Sequence, residues 1–124
     1  MDMRGVRGAT TTSEDQAEQV IVATRELLEA ILAANPGMQT QQIASVFFTV
    51  TEDVCSAFPA LAARQIGWDS VPMICAREIP VPGSLPHCIR VLLHWNTDLP
   101  QSAVRHVYLR EAVKLRPDLV SQAQ

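Results

Sequence analysis

Two arginines and one carboxylate stand in segments that otherwise ask for no charge. Arg7 lies in MRGVRGATTT, Arg90 in CIRVLLHW, and Glu78 closes a third apolar stretch, VPMICARE. An arginine keeps its charge, so inside an apolar strand it is costly unless it has a fixed partner or awaits an anionic ligand. Two cations against one acid leave a local surplus of positive charge. In a chain of formal net charge -3, that surplus points to a pocket for a small anion and not to a general affinity for polyanions. No Lys/Arg stripe accompanies it, which argues against nucleic acid as a partner.

The other reactive residue types are weaker signals. Cys55, Cys75 and Cys88 are odd in number and lack C-x-x-C spacing, so the expectation is free thiols and neither a disulfide framework nor a structural zinc site. His87, His94 and His106 show no H-x-x-x-H spacing, and only His87 adjoins a cysteine, so no metal is expected. Cys75 reads first as a small buried hydrophobe, since no histidine stands at a telling spacing to activate it. It lies three positions before Glu78. Strict alternation puts the two on opposite faces, and both reach one pocket only where the strand bends or ends, as Pro80 would allow. Tyr108, Phe58 and Trp95 read as core or interface rings.

The elements that must position these residues can be read from the pattern. Residues 3–12 form a weakly alternating strand whose Gly5 and Gly8 mark a close approach of another backbone or a ligand. Ala17, Val20, Ile21, Thr24, Leu27, Leu28, Ile31 and Leu32 make the apolar stripe of a helix, with Ser13 and Gln16 as its capping box and Asn35-Pro36-Gly37 as its stop. Residues 43–51 (IASVFFTVT) are a strand with little polar face, hence central or covered on both sides. Pro59 and Gly67 frame a short helix. Residues 71–79 and 88–97 are two further strands, separated by the proline-rich 80–86. A last short strand is expected over 104–109 and a helical turn over 110–115, with 116–124 a mobile tail. In the strand 88–97, Arg90 shares a face with Cys88, Leu92 and His94. An edge arginine that snorkels to water, or a structural ion pair with Glu78, remains open at this level.

At 124 residues with 48% hydrophobic and 19% charged side chains, the chain fits one soluble α+β (mixed α/β) domain spanning 1–124. Its mixed sheet is packed by one long helix and one or more short ones. Met1-Asp2-Met3 carries no basic, apolar leader and no run approaches a membrane span, so the expected location is the cytoplasm, without a membrane partner.

The ordered set RGVRGATTT, FTVTEDVCSAFPALAAR, VPMICAREIPVPGSLPHCIRVL and NTDLPQSAVRHVYLREAVKLRPDL resembles the monofunctional AroH-type chorismate mutases over residues 3–119. The resemblance implies a homotrimer shaped as a pseudo α/β barrel, with active sites between subunits, that converts chorismate to prephenate on the route to phenylalanine and tyrosine without a cofactor. It also implies roles. Arg90 donates to the ether oxygen and a carboxylate of chorismate, Arg7 and Tyr108 to carboxylates, and Glu78 with the Cys75 backbone or thiol holds the ring hydroxyl. Ile74, Cys75, Ala76, Arg77 and Glu78 line the site, Phe58, Ala60 and Arg64 come from a neighbouring subunit, and Leu115 and Arg116 come from the C-terminal segment. Leu61 departs from the family, where a charged or polar residue often follows F-P-A. Two rival readings remain: an imine or enamine hydrolase of similar trimeric architecture, whose C-terminal arginine signature is missing, and a non-enzymatic, small-carboxylate-binding regulatory trimer.

Overall fold

Five strands and two α-helices order the chain in a computed structural model that describes residues 1–115. The strands are β1 (Asp2–Thr11), β2 (Ile43–Val50), β3 (Met73–Arg77), β4 (Cys88–Thr97) and β5 (Val107–Tyr108); the helices are α1 (Ala17–Ala34) and α2 (Ala60–Gln65). They form one mixed sheet in the order β3-β2-β4-β1-β5. β4 runs antiparallel to both β1 and β2, while β3 and β5 join parallel to β2 and β1. The fold is a single α+β domain, as the pattern of elements predicts.

The helices cover one face of the sheet. Leu27, Leu28 and Ile31 of α1 pack on Val6, Val46, Phe48, Val91, Leu93 and Trp95, with Ala63 of α2 and Trp68 completing the core. Gly8 explains why β1 needs a glycine. A Cβ there would stand 2.9 Å from Ile31 Cδ1 and 3.2 Å from both Leu27 Cδ1 and the Val107 carbonyl, so the helix and β5 can approach only a bare backbone.

α1 stops where the sequence stops it. Asn35 is the C-cap, its side-chain amide donates to the Ile31 carbonyl at 2.9 Å, and Gly37 takes a left-handed turn at φ +88°. The same amide clamps the backbone of Arg105 through two bonds, which ties the segment before β5 to the end of α1. The beginning of α1 differs from expectation. Gln16 is the N-cap, without a side-chain bond, so the Ser13/Gln16 capping box does not form. Thr12 Oγ1 donates to the Glu14 carbonyl and Ser13 Oγ to Gln19, while Asp15 turns away to accept from the Cys55 and Ser56 amides and the Ser56 hydroxyl. Local side-chain bonds thus hold residues 12–16 in a turn, and the helix begins three residues later than a Ser13 cap would start it.

β2 is central in the sheet, yet within the chain only its helix-facing side is covered: Phe48 is fully buried and Phe47 is 44% exposed. Phe58 is likewise no core ring, at 71% exposed. Trp95 is buried and donates from Nε1 to Gln42. Among the described residues no helix is long and apolar enough to cross a membrane.

Candidate functional site

The open face of the sheet carries the charges, because period-2 alternation in β4 sends Ile89, Val91, Leu93 and Trp95 to the helices and Arg90, Leu92 and His94 the other way. Register then sets the neighbours. Arg90 pairs with Ala9 on one side and Thr49 on the other; Ala9 pairs in turn with Tyr108, and Thr49 with Ala76. A row therefore runs Tyr108, Ala9, Arg90, Thr49, Ala76 across all five strands. The next row is Arg7, Leu92, Phe47, Ile74. Arg7, Phe47, Thr49, Glu78, Arg90 and Leu92 line a cavity of about 330 Å³ there.

Arg90 is the centre of this arrangement. Its side chain is 27% exposed and its Nε lies 3.7 Å from Glu78 Oε2, an ion-pair distance too long for a hydrogen bond. That buried Nε has no hydrogen-bond acceptor among the described residues. Glu78 is held from two sides: its amide donates to the Val50 carbonyl at 2.8 Å, and its Oε2 accepts a short bond from the Thr49 hydroxyl. Cys88, beneath Arg90, is fully buried. Burial pushes its thiol above the ordinary 9.0, against the pull of the Arg90 charge and of a hydrogen bond to Arg90, so it is a neutral neighbour of the cation.

Arg7 lines that cavity from β1, while Tyr108 on β5 stands in the Arg90 row, beyond Ala9, and is not part of its lining. The Arg7 amide donates to His106 Nδ1 at 3.0 Å, extending a parallel pairing that is only two residues long. Tyr108 is buried with Ala9, Cys88 and Ala112, and Leu115 packs on the same cluster. Arg116 lies outside the described residues.

The remaining predicted residues stand elsewhere in the chain. Cys75 faces the helix side, packed against the main core, so its thiol does not join Glu78 and Arg90: β3 keeps its alternation through Arg77. It lines instead a cleft of about 350 Å³ with Phe58, Pro59, Ala76 and Arg77. Arg77 spends its guanidinium on backbone, donating from Nη1 to the carbonyls of Thr51 at 2.8 Å and Val54 at 2.9 Å. Ala60 is buried at the start of α2 and Arg64 is exposed in its last turn. Sequence reasoning passed over Thr49 and His106. A threonine in a strand and a histidine in a loop carry no signal until pairing shows what they touch. The spacing of Cys75 and Glu78, by contrast, already gave their separation. Among the described residues no three His, Cys, Asp or Glu side chains stand close enough together to hold a metal.

Fold and site together define a small α+β protein that presents a half-buried arginine pair and a single carboxylate on an apolar sheet face. Comparison with known proteins is then specific. The family description chorismate mutase type I matches residues 3–119. The chain is 63% identical to chorismate mutase AroH of Thermus thermophilus over 119 residues, 96% of this chain and 98% of that one. To chorismate mutase AroH of Bacillus subtilis (strain 168) it is 42% identical over 120 residues, 96% and 94% of the two chains. The solved chorismate mutase of Clostridium thermocellum superposes with a TM-score of 0.85 at 46% identity, covering 87% of this chain and 96% of that one. The chain belongs to the type I chorismate mutases, and is accordingly an enzyme, an isomerase of aromatic amino acid biosynthesis.

Proposed function

We propose that this chain converts chorismate to prephenate on the open sheet face, with Arg90 as the group that stabilises the transition state. The observation that carries the reading is the Arg90 Nε, buried beside apolar neighbours and 3.7 Å from the nearest carboxylate oxygen. The rearrangement breaks one carbon to oxygen bond and forms one carbon to carbon bond within a single molecule. No proton, electron or group is transferred, so the protein needs neither nucleophile nor acid–base pair. It has to select the compact diaxial conformer and to supply fixed positive charge where the ether oxygen gains negative charge as its bond stretches.

Position supports the following roles. Arg90 donates to the ether oxygen and an adjacent carboxylate, and a guanidinium can do both at once because its donors form a rigid fork. Arg7, one row away, and Tyr108, across Ala9, hold the carboxylates of the dianion. Glu78 accepts from the ring hydroxyl. Ile74 and Ala76 line the floor with Phe47 and Leu92, and Leu115 packs beside Tyr108.

The second half of the site comes from a neighbouring subunit of a homotrimer. Phe47, Ile74 and Phe58 are large, apolar and exposed in the single protomer, a surface that a second copy of the chain would bury. The cleft that holds Phe58 also holds Cys75. If Phe58, Ala60 and Arg64 are supplied by the neighbour, the Cys75 thiol therefore arrives with them, and the Cys75 contact to the ring hydroxyl is made across the interface. Arg77 acts through the turn it braces and does not touch the substrate. A cytoplasmic location is the reading we favour, and the free thiols Cys55, Cys75 and Cys88 support it.

The test is the ultraviolet absorbance of chorismate over time with pure protein and excess chelator, followed by acid conversion of prephenate to phenylpyruvate. Chorismate loss with matching phenylpyruvate is expected. Stable chorismate in the presence of folded, trimeric protein would overturn the reading in favour of a binding module.

A further inference from the structure

We infer that Thr49 is a positioning residue that holds Glu78 away from Arg90 and so keeps the charge of the arginine available to the substrate. The inference rests on the role given to Arg90 above. Thr49 lies opposite Arg90 in the antiparallel ladder and opposite Ala76 in the parallel one, so its side chain stands on the open face between the cation and the end of β3 from which Glu78 rises. Its hydroxyl donates to Glu78 Oε2. That is the oxygen that faces Arg90 Nε at 3.7 Å. The uncharged donor is bonded to that oxygen, and the carboxylate so anchored stands short of contact with the cation.

The default outcome for two such opposite charges, both less than a third exposed, is contact. A charge-assisted N–H···O bond closes to about 2.8 Å, and here it would also give Arg90 Nε the acceptor it lacks. Contact would, however, place a full negative charge against the guanidinium and cancel much of the field it projects into the cavity. The Thr49 hydroxyl satisfies the carboxylate oxygen at one end of its swing and leaves the cation only loosely paired. Residues around it on β2 are apolar: Val46, Phe47, Phe48 and Val50. A valine at this position would suit the strand equally well and would lack the one group that matters.

The comparison is Thr49→Val, which keeps the branched shape, against Thr49→Ser, which keeps the hydroxyl. Thr49→Val is expected to lower kcat/KM for chorismate about tenfold, less than the roughly hundredfold or more that loss of a whole preorganised donor costs. Thr49→Ser is expected to stay within about twofold of the parent, and the thermal midpoint of both to stay near the parent, since Thr49 is half-buried on the open face and outside the core. In a Glu78→Gln background the further change Thr49→Val should cost nothing, because a neutral amide cannot cancel the arginine. An equal loss in both backgrounds, or a Thr49→Val enzyme within twofold of the parent, would overturn the inference. A second readout needs no turnover: the Arg90 Nε–H resonance in substrate-free protein, assigned by its loss in Arg90→Lys. It should move downfield in Thr49→Val, as Nε gains a carboxylate acceptor, and stay in place in Thr49→Ser. An unmoved resonance overturns the inference whatever the kinetics. A moved resonance in protein that leaves chorismate untouched upholds it and overturns the proposed function instead.

Discussion

Along β4 every second side chain meets a different environment. Ile89, Val91, Leu93 and Trp95 are buried beneath the helices; Arg90, Leu92 and His94, one residue out of step, are half-buried on the open side. The first face is shaped by volume. It is filled by aliphatic and aromatic side chains around a glycine that cannot carry a Cβ. The second is shaped by charge: cations at Arg7 and Arg90, one acid at Glu78 and hydroxyls at Ser45 and Thr49, set among Phe47, Ile74 and Leu92. One strand thus builds both the core and the site, and the register is what separates them. A slip of one residue would drive Arg90 into the core and turn Leu93 to the open face, so the hydrophobic pattern that fixes the fold also fixes the cation.

The division between faces can be broken or sharpened by substitution. The largest effect is expected from Arg90→Ala, which should reduce kcat by a hundredfold or more, roughly 3 kcal/mol of transition-state stabilisation, with the thermal midpoint unchanged. Arg90→Lys should be severely impaired as well, since an ammonium cannot reproduce the fork. Its counterpart three residues along is Leu93→Ala. That change should cost about 2–5 kcal/mol of stability in denaturant titration while leaving the activity of each folded molecule near that of the parent. A stable Leu93→Ala, or an Arg90→Ala that fails to fold, would erase the distinction.

A subtler contrast comes from Phe47, on the open face beside the fully buried Phe48. Phe47→Asp should leave the chain folded by circular dichroism yet dissociate the proposed trimer in sedimentation, taking activity with it. A trimer that survives the change would remove the open face from the interface. The smallest effect concerns acid. Hydrogen bonds from the Ser56 hydroxyl and the Cys55 amide hold the Asp15 carboxyl below its ordinary 3.8. Burial pushes Asp53 the other way, but the Thr51 hydroxyl, the His87 amide and the His87 charge outweigh it and bring it below 3.8 too. A depressed folded pKa means that the unfolded chain binds more protons in the window between the two values. The stability these groups contribute is therefore complete above about pH 4 and is lost as pH falls through the folded values. The denaturation midpoint should be flat near neutrality and decline below about pH 4, and Asp53→Asn should flatten that decline. An unchanged acid limb in Asp53→Asn would exclude the Asp53 clamp as its source.

Much of this was legible in advance, for reasons that differ by region. The bounds of β4 and the framing of α2 by Pro59 and Gly67 follow from alternation and from backbone chemistry that acts locally. The start of α1 departs from the Ser13/Gln16 box because Asp15, which that box would place in the first helical turn, is bonded elsewhere. Its partners are Cys55 and Ser56, forty residues away, whose amides claimed Asp15. Arg7, Glu78 and Arg90 could be picked out as a group because charge inside apolar strands is rare enough to need a reason. Thr49 and His106 could not, since hydroxyls and imidazoles are ordinary in strands and loops until a partner is known.

By itself, then, the sequence determined which residues alternate, where α1 and β4 stop, that Cys75 and Glu78 face apart, and that two arginines exceed their acid. All of these depend on covalent geometry or on charges counted along the chain. Only the tertiary structure decided that β4 lies between β1 and β2, and with it that Arg90 stands between Ala9 and Thr49, that Oε2 of Glu78 is shared between a hydroxyl and a guanidinium, and that Cys75 keeps company with Phe58. Strand order and register are set by the packing of α1 on one face of the whole sheet, a balance over many distant residues that no local pattern contains.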